Sequence, residues 1–267
     1  MSFASRAAFA PPSAFTVGQT TVSLLTPARL IEALNDTITS GEKRRVIFCN
    51  VSTVVESSRN PELRDAVNLS QIVSPDGMPL VWVAHLRGCR DITRVDGPTS
   101  MKLIMRHGAD LGWRHYLYGG SPHSLPLLLE RLQQEIPSVS IVGSDAPPFR
   151  DLSNDETTAA LERINSAEPH FVWVGLGMPK QELWMARHQH LITAPVMLGV
   201  GAAFDFHAGI KRRAPLWMQN SGLEWLHRLS SEPKRLGRRY LHGNARFLML
   251  VAQDLIKERL QRLRGLS

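Results

Sequence analysis

The 267-residue chain predicts an α/β fold, a mostly parallel sheet with helices on both faces, followed by a basic helical C-terminal appendage. Three observations predict it. Apolar runs rich in β-branched and aromatic residues alternate with helix-length segments between Val46 and Gly201, so each strand hands over to a crossover helix. The runs themselves, above all Phe171 to Val174, are apolar without alternation, which suits strands buried on both faces. Charge is unevenly placed: residues 211–267 hold 13 Lys or Arg against 4 Asp or Glu, a balance of +9, while the whole chain carries +7. A near-neutral body with a basic tail points to an anionic partner for the tail, whether membrane surface, nucleic acid or phosphorylated substrate.

The elements follow in order. Residues 1–15, with Pro11-Pro12 and many small side chains, hold too little apolar surface to pack and are expected to be flexible. Residues 16–217 are expected to form the core and 218–267 the appendage. Val17 to Leu25 reads as a short strand or hairpin, and Pro27 to Ser40 carries helical spacing at Leu30, Ala33, Leu34 and Ile38. The first strong strand runs from Val46 to Asn50. Asn50 either caps the next helix or faces a ligand at the edge where open α/β sheets bind them. Asp76, in the turn Pro75-Asp76-Gly77, is either an ordinary turn residue or a carboxylate partly withdrawn from water, with the proton affinity of a general base. In the polar turn from Ile92 to Pro98, Arg94 either clamps a phosphate or pairs with Asp91 or Asp96.

Two clear strand-helix units come next. His115 to Pro122 leads into a helix over Leu125 to Ile136, with Val139 to Gly143 as the following strand. Phe171 to Glu182 is strand, glycine loop and helix start, continuing through Trp184 and His188 to a strand at Pro195 to Gly201. Gly175 and Gly177 let the backbone approach a ligand closely. Pro179 fits a first helical turn, and free N–H groups there, beside Lys180, make a seat for a phosphate or diphosphate. Gly119-Gly120 before a helix repeats that logic, and Gln181 and Glu182 project into the same crevice; the plain alternative is an ordinary βα turn without a ligand. After Gly199, Asp205 is a candidate for a sugar hydroxyl, whereas His207 reads as a structural group. In the tail, a helix after Gly243 would carry Phe247, Leu248, Val251 and Leu255 on one face and Arg246, Lys257 and Arg264 on roughly the other, suited to docking on the core or to lying on an anionic bilayer.

Several classes are disfavoured. No apolar run approaches the ~20 residues of a membrane span and the N-terminus lacks a signal peptide's pattern, so a cytoplasmic protein is expected. Cys49 and Cys89 have no partners at metal-ligand spacing and read as free thiols. A Gly-x-Gly-x-x-Gly with a downstream acid is missing, which counts against a nicotinamide cofactor, and so is an Asp-x-Asp metal pair. The basic tail carries no recognised nucleic-acid-binding module, which counts against nucleic acid.

Together these motifs resemble the WecG/TagA/CpsF family of bacterial glycosyltransferases. The matching pieces are Asn50, Pro75-Asp76-Gly77, Arg94 with Gly97, Tyr118-Gly119-Gly120, Gly175 to Glu182, Gly199 to Gly209, Arg213-Ala214-Pro215, and Glu224 to Leu229 with Glu232-Pro233. The resemblance implies a Rossmann-like core and an inverting transfer of a sugar from a UDP-sugar to an undecaprenyl-diphosphate-linked saccharide, with no cofactor and no required metal. It implies Asp76 as the base and Asn50 and Gln181 at the donor, joined by the seat formed by Gly119, Gly120, Gly177 and Lys180 and by Asp205. Arg94, Arg228, Arg235 and Arg238 would bind phosphate, the last three on a segment that closes over the site. Phe48 stands where some members have a polar Thr, a departure that bears on donor identity. The setting implied is the inner face of the plasma membrane, with the basic tail on an anionic surface; a homo-oligomer is left open. A nucleotide-binding oxidoreductase or epimerase is the alternative.

Overall fold

The computed structural model describes residues 12–231 and 233–264, apart from the side chains of 231, 234–236, 238–241 and 262–264. A hairpin of β1 (Ala14–Val17) and β2 (Thr20–Ser23) comes first, so strand begins inside the segment expected to be loose through residue 15. Helix α1 (Pro27–Ser40) starts where Thr26 Oγ1 accepts the Arg29 N–H at 3.3 Å and stops at Gly41 in the left-handed region. Then follow β3 (Arg44–Cys49), α2 (Val51–Ser57), α3 (Pro61–Asn68), β4 (Ile72–Pro75), α4 (Met78–Leu86) and α5 (Gly97–Ala109). The second half of the core runs β5 (Arg114–Gly119), α6 (Ser124–Glu135), β6 (Ser140–Asp145), α7 (Asn154–Ser166), β7 (Phe171–Gly175), α8 (Lys180–His188), β8 (Val196–Gly199) and α9 (Ala203–His207). Three helices close the described chain: α10 (Leu216–Asn220), α11 (Glu224–Ser231) and α12 (Pro233–Arg264).

Strands β3 to β8 form one parallel sheet in the order β4-β3-β8-β7-β5-β6. Period-two geometry splits the apolar runs between two cores. In β7, Val172 and Val174 face α2, α3, α4, α7 and α8, while Phe171 and Trp173 face α1, α5, α6 and α9. The neighbouring strands β5 and β7 are followed by helices on opposite faces, and so are β3 and β8, which opens crevices at their carboxyl ends.

The C-terminal helix departs from its sequence reading. Its docked face is Phe247, Leu250 and Val251, while Leu248 is 66% and Leu255 37% exposed. The docking stripe continues into acids: Asp254 Oδ2 accepts the Gly18 N–H at 2.6 Å, and Arg87 at the end of α4 pairs with Asp254 and Glu258. An apolar-only pattern misplaces such a face. Gly237 and Gly243 lie inside one helix, since an interior glycine costs only about 1 kcal/mol and packing offsets it.

Candidate active site

A cavity of about 970 Å³ opens at the carboxyl edge of the sheet, walled by the loops after β3, β4, β5, β7 and β8 and closed over on one side by α11 and α12. Asp76 immediately follows β4. Its N–H donates to the Cys49 carbonyl at 2.8 Å, so sheet pairing extends to the residue and fixes where its half-buried carboxyl stands. Asn50 both caps and reaches the site: Oδ1 accepts the Ser52 and Thr53 N–H groups at 3.0 and 3.3 Å, while Nδ2 donates to Asp76 Oδ2 at 3.4 Å. The Asp76 carboxyl is pushed up to about 7. Loss of water is the largest cause and the charges of Asp96 and Glu224 add to it, against the pull of Arg94 and the Asn50 hydrogen bond. Such a group exchanges its proton near neutral pH.

Beneath Asp76 lies a network of alternating charge. Arg94 Nε donates to the Asp76 carbonyl at 2.7 Å, and its Nη2 lies 2.5 Å from Glu224 and 3.9 Å from Asp96. Arg213 Nη2 lies 2.5 Å from Asp96 and Nε 3.8 Å from Glu224. Arg94, expected at a phosphate, is thus engaged with protein carboxylates, and Glu224 ties α11 to the turn that carries Asp76. Of the two partners the sequence offered Arg94, the structure pairs it with Asp96, whereas sequence reasoning assigned no role to Arg213 or Glu224. Arg213 and Glu224 stood in motifs, but the separation of well over a hundred residues from their partners leaves no local signal.

The second corner is the β7–α8 junction. Gln181 is 5% exposed. Its Oε1 accepts the Gly177 N–H at 3.2 Å, and its Nε2 donates to Glu182 at 2.9 Å and to the Gly199 carbonyl at 3.1 Å, so it ties the glycine loop to the end of β8. Gly177, at φ +77°, lines the cavity, and a Cβ there would meet nothing within 4 Å. Glu182 is buried, its Oε2 has no partner among the described residues, and burial raises its proton affinity. The exposed Lys180 side chain lies 4.0 Å from Asp151 and does not line the cavity.

The remaining expected residues divide. Gly120 lines the cavity and donates its N–H to the Gly175 carbonyl at 3.0 Å, whereas Gly119 does not line it and is packed so tightly on Gly175 that a Cβ would fall 2.5 Å from its backbone. Asp205 lines the cavity and pairs with Lys211 at 2.9 Å. His207 bonds the Pro98 carbonyl at 2.9 Å and burial lowers it to about 4, in keeping with the structural reading. Phe48 is a buried wall of the cavity. Arg228 reaches the rim, its guanidinium 5.7 Å from the Phe206 ring centre. The side chains of Arg235 and Arg238 lie outside the described residues. Among the described residues no group of three or more His, Cys, Asp or Glu is arranged to hold a metal ion, and no helix is long and apolar enough to cross a membrane.

Residues 15–261 match the family described as glycosyl transferase WecG/TagA/CpsF family. The chain is also similar to an N-acetylglucosaminyldiphosphoundecaprenol N-acetyl-beta-D-mannosaminyltransferase of Bacillus subtilis, 29% identical over 191 residues, 68% of this chain and 73% of that protein. A protein of the same name from Bacillus spizizenii is 26% identical over 190 residues, covering 71% of this chain and 72% of its own length.

Proposed function

The chain belongs to the WecG/TagA/CpsF family of glycosyltransferases, and from that premise we propose that it moves a sugar from a UDP-sugar to an undecaprenyl-diphosphate-linked saccharide, inverting the anomeric carbon without a metal, in assembly of a bacterial cell-surface polysaccharide. The observation that carries this reading is the Asp76 carboxyl, held by sheet pairing at the mouth of a large cavity with a proton affinity near neutrality. An acceptor hydroxyl attacks the anomeric carbon as its proton passes to Asp76; the bond from that carbon to the diphosphate oxygen breaks, and its electron pair leaves on UDP. Charge gathering on the leaving diphosphate needs cations, a role proposed for Arg228 at the rim and, from the family resemblance, for Arg235 and Arg238. Asn50 orients Asp76, and Gly120, Gly177 and Asp205 form the donor side, where Gln181 holds the Gly177 loop in place. The names of the two similar proteins support the acceptor class.

The same reading sets the protein on the inner face of the membrane. Exposed Leu86, Leu216 and Trp217 and the basic tail support it, and attachment should weaken with salt because each Lys or Arg near an anionic surface contributes only about 1 kcal/mol and is screened. The test is a screen of UDP-sugars, beginning with UDP-N-acetylmannosamine, against an N-acetylglucosaminyl-diphosphate-lipid acceptor in the presence of a chelator. The reading predicts UDP release with a β-linked product. Binding of the UDP-sugars without transfer of any of them contradicts it.

A further inference from the structure

Helix α4 is apolar almost all the way round, which its position does not at first explain. Leu80, Val81 and Ala84 are buried in the body. Met78, Trp82, Val83 and Leu86, at spacings of four, one and three, form a second stripe that lines the cavity. Opposite stand Leu248 and Val251 of α12. The turn between α10 and α11 roofs the space, with Gly222 so close that a Cβ there would fall 2.6 Å from the Trp82 ring. Two apolar stripes therefore line one arm of the cavity and stop short of closing it, leaving Trp82 46%, Leu86 73% and Leu248 66% exposed. Exposed apolar surface continues from the mouth along α12 at Met249, Ile256 and Leu260.

The arm begins at the reacting end of the site, because only Gly77 separates Asp76 from the first residue of α4. We propose that it takes the first isoprenyl units of the acceptor lipid, with the chain leaving between Leu86 and Leu248 toward the bilayer. This deepens the function proposed above and rests on it for the acceptor class. Nine residues of helix rise about 13 Å, so α4 spans from the carboxylate end of the site to the apolar rim at Leu86, long enough for an acceptor sugar and its diphosphate to precede the prenyl chain. Continuity decides the occupant, since an amphiphile with a polar reactive head and an apolar tail matches a cavity with a carboxylate network at one end and two apolar stripes at the other.

The full-length protein is titrated calorimetrically with methyl diphosphate, geranyl diphosphate and farnesyl diphosphate, and separately with UDP. Affinity should rise with chain length, by more than about tenfold from methyl to farnesyl, because each added unit is withdrawn from water. Leu86→Asp and Leu248→Asp alter exposed side chains, so both variants should fold and bind UDP as before, yet lose most of that gain. Equal affinity for methyl and farnesyl diphosphate in the unaltered protein overturns the proposal, as does a full chain-length gain in both variants. A chain-length gain without sugar transfer from any UDP-sugar leaves the arm standing and removes the proposed reaction. Transfer with a KM indifferent to chain length does the reverse.

Discussion

Two turns at the same edge of the sheet treat their polar side chains in opposite ways. At the β4–α4 turn, the Asp76 carboxyl meets one hydrogen-bond donor among the described residues, Asn50 at 3.4 Å, and faces a cavity with its proton affinity raised to about 7. At the β7–α8 turn, Gln181 uses both ends of its amide within the protein, on Gly177, Glu182 and Gly199. A group left with its valence open can exchange a proton, whereas one that is satisfied on every side holds a loop in place. On the reaction proposed above, the difference separates a reacting residue from a positioning one, although both sit in motifs of similar look.

The largest effect expected of this contrast is on turnover. Asp76→Asn should lower kcat by roughly 10²-fold or more, the usual scale of general-base catalysis, while UDP-sugar binding persists in calorimetry. The same variant should be more heat-stable at pH 8. The folded state holds Asp76 at a raised proton affinity, so ionising it opposes folding as pH climbs from about 4 toward 7, and the amide removes that opposition; the gain should shrink again near pH 4. An Asp76→Asn protein that turns over normally erases the contrast between the turns.

Gln181→Ala should act first on stability, costing about 1–3 kcal/mol in denaturant titration because the Gly177 N–H and Gly199 carbonyl lose their buried partner. Loss of donor affinity at unchanged stability would move Gln181 to the reacting side of the comparison. A smaller effect is expected at the rim. Arg228→Ala removes a cation from the leaving diphosphate and a ring contact of roughly 0.5–1 kcal/mol, so kcat should fall more than stability does. Smallest is a shift rather than a loss: Glu224→Gln removes a negative neighbour that raises the proton affinity of Asp76, so the midpoint of the pH-rate profile should move to lower pH.

Much of the fold was legible because buried parallel strands are written as uninterrupted apolar runs: Val46 to Cys49 and Phe171 to Val174 are strands in the structure, and α1 spans the expected residues. Helices α3, α5 and α7 were not read, since amphipathic stretches with many polar residues show weaker local contrast than strands do. Within the site, Asp76 and Asn50 were legible as strand-end residues. The carboxylate-arginine network was not, because Arg94 and Glu224 meet only through the path of α10 and α11 across the edge of the sheet. The tail was legible as basic and helical, with docking on the core as one of its two readings, but the face that docks was misplaced. Phe247, Leu250 and Val251 are part of the core, so deleting residues 218–267 would strip apolar cover from α2 and the hairpin instead of leaving an intact body.

The proposed reaction turns on the Asp76 carboxylate taking the acceptor proton. The most direct measurement is the single-turnover rate of sugar transfer as a function of pH, with acceptor and UDP-sugar saturating so that release steps do not enter. A base of the raised affinity found here should give a rate that climbs close to tenfold per pH unit below about 7 and levels above it. A rate that stays flat from pH 5 to 8 would contradict the account.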